Sequence, residues 1–131
     1  MYIIIYDFGT SSVKTCLFKI DTGIQLVASA SAGYGLYISE DGGAEQDTEE
    51  WWSALCSTPR DLFTKSVIKP DEIEGIAFCS QMQGAVFVDE NGNALRRPMN
   101  YLDQRGVKEY KQCMGSGLIK VSGCSLWVQT A

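Results

Sequence analysis

The chain has 131 residues, 45% hydrophobic and 21% charged, with 13 Gly and 3 Pro; this is the composition of one globular domain or a piece of a larger one, not of a disordered or fibrous protein. Eleven Lys and Arg against sixteen Asp and Glu leave a net charge of −5, and the densest basic spot is the pair Arg96-Arg97, so binding to nucleic acid through a phosphate-neutralising surface is disfavoured. The longest apolar stretch, Met1 to Tyr6, is far short of the roughly 20 residues of a membrane span and lacks the basic leader of a signal peptide, so no membrane partner is expected.

Tyr2 to Tyr6 is a short Ile-rich run that suits a strand buried on both faces. Asp7-Phe8-Gly9-Thr10-Ser11-Ser12 interrupts it with turn-forming residues, after which Val13 to Ile20 resumes strand composition. Asp21-Thr22-Gly23 is a compact turn, and Ile24 to Ala32 makes a third strand. Three strands joined by tight turns predict an antiparallel meander. Gly33 to Gln46, rich in Gly and acidic residues, reads as a loop.

Asp47 then starts a helix as its cap, with Glu50 three residues on and acids at the positive end of the dipole. Trp51, Trp52 and Leu55 are its expected buried face. Pro59 predicts a kink, or a break before a shorter helix through Leu62 and Phe63. Ile73 to Cys79 and Ala85 to Val88 are further strands around the polar insert Ser80-Gln81-Met82-Gln83-Gly84, and Asn91-Gly92 signals a hairpin turn. Val107, Tyr110 and Met114 give Asp103 to Met114 a helical spacing that Gly106 weakens. The tail from Gly115 has no clear period, and Leu126-Trp127-Val128 reads as core-seeking material that expects a continuation.

Five cysteines are scattered without a Cys-x-x-Cys pair and there is no His, which argues against zinc. Reduced, mostly buried thiols in a cytoplasmic protein are the expectation. Small anions remain open as ligands, because backbone amides and single cations can hold them. The first candidate is the turn at Asp7 to Ser12 with Lys14 beyond it. Gly9 lets amides approach an anion, Thr10, Ser11 and Ser12 add hydroxyl donors, Asp7 is placed for a hydrated Mg²⁺, and Lys14 supplies a point charge. Taken alone, the same residues make a plain β-turn. Gln81-Met82-Gln83-Gly84 offers amides to sugar hydroxyls, or is a polar connection between strands. Tyr101, Asp103 and Arg105 combine an aromatic face, a carboxylate and a guanidinium, as polyol recognition or as a helix cap and a surface charge.

In order along the chain, these segments resemble the FGGY carbohydrate kinases of the actin and hexokinase superfamily. Asp7 to Lys14 is similar to the family's first phosphate motif. Gly43-Ala44-Glu45-Gln46-Asp47-Thr48-Glu49-Glu50-Trp51-Trp52 resembles its Glu-Gln-Asp-Pro-x-x-Trp-Trp segment, and Ile76 to Gly84 its Gln-Met-His-Gly strand and turn. Asp89-Glu90-Asn91-Gly92 and Arg97 to Arg105 resemble the segment that runs into Trp-x-Asp-x-Arg. The xylulokinase-like branch is the nearest in character.

The resemblance implies an α/β fold with a mixed sheet and an antiparallel meander, the ribonuclease H-like N-terminal subdomain of that superfamily in incomplete form, with residues 1–131 as the first part of a sugar-binding domain. It implies transfer of the γ-phosphoryl of ATP to a sugar or polyol hydroxyl, most readily a xylulose-like ketose, with Mg as the metal. Asp7 would position Mg²⁺ through water and the transferring group, Gly9, Thr10, Ser11, Ser12 and Lys14 would hold phosphates, and Gln81, Met82, Gln83, Tyr101, Asp103 and Arg105 would form the sugar side. Gln83 stands where xylulokinases usually have His, and Tyr101-Leu102 where Trp-Asn is usual, so the sugar's identity stays open. The family's catalytic Asp base and adenosine elements lie beyond the matched region, which implies that this stretch alone is inactive. A non-catalytic sugar-binding module made from half of the fold is the alternative, and an actin-like or acetate-kinase-like ATPase a third that the Gln81–Gly84 and Asp103–Arg105 segments oppose. An exposed sheet edge would allow a homodimer.

Overall fold

The computed structural model describes residues 1–116, which divide into two compact units. The first comprises Met1–Gly35 and Asp47–Gln81, the second Leu36–Gln46 and the chain from Met82. The tail segment Leu126-Trp127-Val128 lies outside the described residues.

The first unit is a four-stranded mixed sheet in the order β3-β2-β1-β6. Strands β1 (Tyr2–Phe8), β2 (Ser12–Ile20) and β3 (Ile24–Gly33) form the expected meander, and β6 (Ile73–Ser80) joins β1 in parallel. Side chains alternate across the pleat: Ile4, Tyr6, Val13 and Leu17 are buried with Ala30, Ala54 and Leu62 in one core. β1 is therefore buried on one face, with Ile3 and Ile5 half-buried on the other. Helix α1 (Thr48–Lys65) packs on β2 and β3, leaving Ile76 and Phe78 of the edge strand β6 exposed. Inside the core, the Thr15 and Thr58 hydroxyls meet at 2.7 Å and join sheet to helix.

Two expectations for α1 need correction, the buried face and the break offered as one outcome of Pro59. Asp47 caps the helix as expected, by accepting the Glu49 N–H at 3.0 Å, and the Glu50 carboxylate accepts the Gly35 N–H at 2.6 Å. The buried face is Ala54, Thr58 and Leu62; Trp51 is half-buried and Trp52 is 63% exposed. Neither a break nor a second helix follows Pro59, which sits inside one continuous helix. Burial of Thr58 and Leu62 on either side of it anchors the helix to the sheet, and the Ser57 and Thr58 hydroxyls donate back to the Ala54 carbonyl, so packing overrides the lost Pro59 donor.

The second unit is built on short pairings. The loop expected over Gly33 to Gln46 contains β4 (Tyr37–Ile38) and β5 (Ala44–Glu45), an antiparallel pair. Next to β5, Gln46 N–H donates to the Pro98 carbonyl (3.0 Å) and Asn100 N–H to the Ala44 carbonyl (2.8 Å), and the buried Asn100 and Gln46 amides bond at 3.2 Å. Ala85 to Val88 is not a strand: it makes only isolated bridges, Ala85 to Met99 and Val88 to Ala94. The Asn91-Gly92 turn forms, with Gly92 at φ +84. The second helix, α2 (Val107–Gly115), starts four residues later than its spacing suggests, since Asp103 is engaged in the contacts below. Thiols are also more open than expected: Cys79 is exposed and Cys16, Cys56 and Cys113 are half-buried, all four free.

Candidate functional site

In the first unit the site residues gather at the β1–β2 turn. Gly9 N–H donates to the Ser12 carbonyl at 2.9 Å and closes it; a Cβ on Gly9 would lie 3.3 Å from that oxygen, so a larger residue would press on the turn. Asp7 and Lys14 are direct cross-strand partners at its base. Ser11 and Lys14 are exposed, while Asp7, Gly9, Thr10 and Ser12 are half-buried.

Three contacts brace this turn. The Gln81 N–H donates to the Phe8 carbonyl at 2.6 Å, which places the backbone of one expected sugar-side residue against the β1–β2 turn. The Tyr34 N–H donates to the Ser11 carbonyl at 3.0 Å, and the Tyr34 hydroxyl donates to the Gly9 carbonyl at 2.5 Å. Beside it, the Cys79 thiol donates to Asp7 Oδ1 at 3.2 Å. That hydrogen bond, with a little burial and the Asp7 charge, holds the Cys79 thiol above the usual range. Burial first, and the Asp7 charge second, push the Tyr34 phenol up to about 12.

Met82 and Gln83 open the second unit, both exposed, Met82 at 77%. Gln83 has φ +65, the left-handed region that costs a side-chain-bearing residue about 1–2 kcal/mol. Tyr101 is 41% exposed. Asp103 and Arg105 are held in a network of their own. Asp103 accepts the Ala44 N–H at 3.0 Å and the Arg105 N–H at 3.1 Å, and its Oδ2 meets Arg105 Nη2 at 2.6 Å. Arg105 Nη2 also reaches Glu45 Oε1 at 2.7 Å, as does Arg96 Nη2. Burial pushes the Asp103 carboxyl up, but the Arg105 guanidinium and the two backbone donors outweigh it and hold it below the usual range. Arg105 also holds the Glu45 carboxyl down. A Cβ on Gly43 would run into Ser39 Oγ and lie 3.0 Å from the Arg105 guanidinium carbon, so a larger residue there would have to displace both side chains.

Among the described residues, no group of three or more His, Cys, Asp or Glu could by itself hold a metal. Asp7 is a single carboxylate at a turn with exposed donors, which fits Mg²⁺ held through water and phosphate oxygens better than an all-protein cage. The sequence pattern passed over Tyr34, Glu50 in its role toward Gly35, and Cys79. No sequence signal marked them: Cys79 meets Asp7 through the parallel register of β6 on β1, and Tyr34 meets the turn through the shifted register of β3 on β2.

The description "FGGY family of carbohydrate kinases, N-terminal domain" matches residues 2–121. A xylulose kinase of Staphylococcus epidermidis is 32% identical over 106 residues, which cover 81% of this chain and 21% of that one. A glycerol kinase of Pediococcus pentosaceus is 34% identical over 89 residues, 68% of this chain and 17% of that one. Among solved structures, a ligand-bound xylulose kinase from Lactobacillus acidophilus superposes with a TM-score of 0.78 at 28% identity, over 88% of this chain and 23% of its own. A gluconate kinase from the same organism gives 0.79 at 28% identity, with the same coverage. The chain spans about a fifth of the length of the curated xylulose kinases it matches.

Proposed function

The chain belongs to the FGGY family of carbohydrate kinases, and from that membership we propose that it is the N-terminal part of an enzyme that transfers the γ-phosphoryl group of ATP to a hydroxyl of a sugar or polyol, with a xylulose-like ketose as the first choice. The observation that carries this is the β1–β2 turn, a glycine-closed hairpin with Asp7 and Lys14 paired at its base.

In this proposal the first unit supplies the phosphate contacts. Gly9 closes the turn, the N–H groups and hydroxyls of Thr10, Ser11 and Ser12 donate to phosphate oxygens, Lys14 offsets their charge, and Asp7 orients the water shell of Mg²⁺. When bound, Mg²⁺ neutralises charge that develops on the phosphate oxygens. The chain's own work is to hold the donors still before the ligand arrives. The second unit supplies the sugar contacts. Met82, Gln83 and Tyr101 are exposed side chains of this set; Asp103 and Arg105 belong to it too, with Asp103 fixing the segment that carries Tyr101 to Ala44 of β5. Gln81 is a further sugar contact in this reading, and its N–H bonds to the Phe8 carbonyl within the first unit. No described helix is long and apolar enough to cross a membrane, and we place the enzyme in the cytoplasm, where its nucleotide is.

The test is to fuse residues 1–131 to the remaining four-fifths of the S. epidermidis xylulose kinase and to measure ADP formed with D-xylulose, glycerol, gluconate or no acceptor. The proposal expects acceptor-dependent ADP, greatest with xylulose, and none from residues 1–131 alone. A folded fusion that forms no ADP with any acceptor would contradict it and favour a binding module.

A further inference from the structure

We propose that Tyr34 is a positioning residue for the phosphate turn: by holding the Gly9 and Ser11 carbonyls to one side, it turns the Thr10 and Ser12 N–H groups toward the phosphate. This rests on the assignment of Gly9–Ser12 as phosphate contacts.

Tyr34 is the first residue after β3 (Ile24–Gly33). It engages the turn twice, through its N–H to the Ser11 carbonyl at 3.0 Å and through its hydroxyl to the Gly9 carbonyl at 2.5 Å. None of the described peptides is cis, and in a planar trans peptide the C=O and N–H of one unit point in opposite directions. The Gly9 carbonyl shares its peptide with the Thr10 N–H, and the Ser11 carbonyl shares its peptide with the Ser12 N–H. Fixing both oxygens toward Tyr34 therefore fixes both N–H groups away from it. One residue thus sets the direction of two backbone donors in the segment proposed to bind an anion.

Tyr34 is held from behind by helix α1. Its ring meets Trp51 edge-on, with centroids 6.4 Å apart and an interplanar angle of 66°. The next residue, Gly35, gives its N–H to the Glu50 carboxylate at 2.6 Å. Both partners lie in the first turn of α1, whose buried face is anchored on the sheet. The phenol is pushed up to about 12 by burial and by Asp7, so it stays protonated and donates throughout the neutral range. Donors aimed in advance need no reorganisation when charge arrives, which is the condition for strong electrostatic stabilisation.

The experiment follows the Thr10 and Ser12 amides by NMR during titration with Mg·ATP, in the fusion to the S. epidermidis remainder with residues 1–131 segmentally ¹⁵N-labelled, so that the rest of the nucleotide site is present. The wild-type chain is expected to show saturable shifts at both. Tyr34→Phe keeps the ring on Trp51 and the backbone bond to Ser11 and deletes only the hydroxyl. Its dissociation constant should rise by roughly threefold to tenfold, the effect of one hydrogen bond, with the Thr10 shift reduced more than that of Ser12. Thr58→Val, a core change away from the turn, should lower the melting temperature yet leave the dissociation constant unchanged, which separates positioning from general stability. If Tyr34→Phe does not fold, Glu50→Ala should weaken binding in the same direction and Glu50→Gln restore it. Wild-type-like affinity of Tyr34→Phe, or of Glu50→Ala, would overturn the role of Tyr34 and leave the phosphate assignment standing. No saturable shift at these amides in the wild-type chain would overturn the phosphate assignment, and the role of Tyr34 with it.

Discussion

The Cys79 thiol donates a hydrogen bond to Asp7 Oδ1 at 3.2 Å across the parallel β1–β6 pair. An exposed cysteine is thereby tied to the carboxylate proposed to orient Mg²⁺. The tie works in both directions: it fixes one Asp7 oxygen, and it makes the thiolate harder to form.

The Cys79 pKa lies above the usual thiol range, the bond to Asp7 being the main cause. Alkylation by iodoacetamide should therefore show a higher midpoint pH at Cys79 in the folded chain than in the same peptide after denaturation. Asp7→Asn should bring that midpoint down and speed modification near neutral pH, because the thiolate then has no anion beside it. Peptide mass spectrometry across pH 7 to 10 reads the rate; a midpoint that ignores Asp7→Asn would contradict the bond.

The paired hydroxyls of Thr15 and Thr58 predict an asymmetry. Thr58 also reaches the Ala54 carbonyl at 3.2 Å, so in Thr15→Val its proton keeps an acceptor. In Thr58→Val the buried Thr15 hydroxyl loses its partner in α1, which costs about 1–3 kcal/mol. Urea denaturation should show Thr58→Val as the more destabilised of the two, and the double variant as less destabilised than the sum.

Asp103 and Glu45 both have carboxyls held below their usual range, and in each case Arg105 contributes. A carboxylate with a depressed folded-state pKa contributes stability that is fully present above its unfolded value. That contribution is lost as pH falls through the folded value. Stability of the second unit should thus be flat above the ordinary carboxylate range and decline in more acid solution. Arg105→Gln should shrink this acid decline and cost about 1–3 kcal/mol near neutral pH, since Asp103 stays buried with fewer donors. Thermal melts at several pH values of the wild type and variant read both effects.

Pro59 lies inside α1 without ending it. The Leu55 carbonyl lacks the N–H it would have in a regular helix, and the ring crowds the preceding turn. Pro59→Ala should restore the donor and raise stability by roughly 1–3 kcal/mol, visible as a higher melting temperature. A lower one would mean that the proline geometry is itself required by the packing of Thr58 and Leu62.

Much of the first unit was legible because its signals are local. The Ile-rich run, the turn at Asp21-Thr22-Gly23 and the Asp47 cap each fix one element, and the meander follows from short connections. That the helix runs unbroken through Pro59 was not legible, since its continuity depends on tertiary burial of Leu62. Trp52 misled for the opposite reason: hydrophobic character does not say which side of a helix a core covers. Tyr34 was hidden by the register shift between Leu17 and Phe18. Counting back from the hairpin turn puts Ala32 opposite Ser12, whereas the irregularity places Gly33 there and Tyr34 beside Ser11. In the second unit, Asp103 and Arg105 drew notice as a charged pair, but their partners Glu45 and Ala44 are some sixty residues away, a distance over which no spacing rule operates.

The most direct measurement is the Asp7→Asn substitution in the fusion of residues 1–131 to the S. epidermidis xylulose kinase remainder, with kcat and the sugar KM determined together. If the β1–β2 turn is the phosphoryl-transfer site, kcat should fall by at least about 100-fold, with the sugar KM staying within about threefold. An unchanged kcat in a folded Asp7→Asn fusion would contradict the assignment of Asp7 and of the turn that carries it.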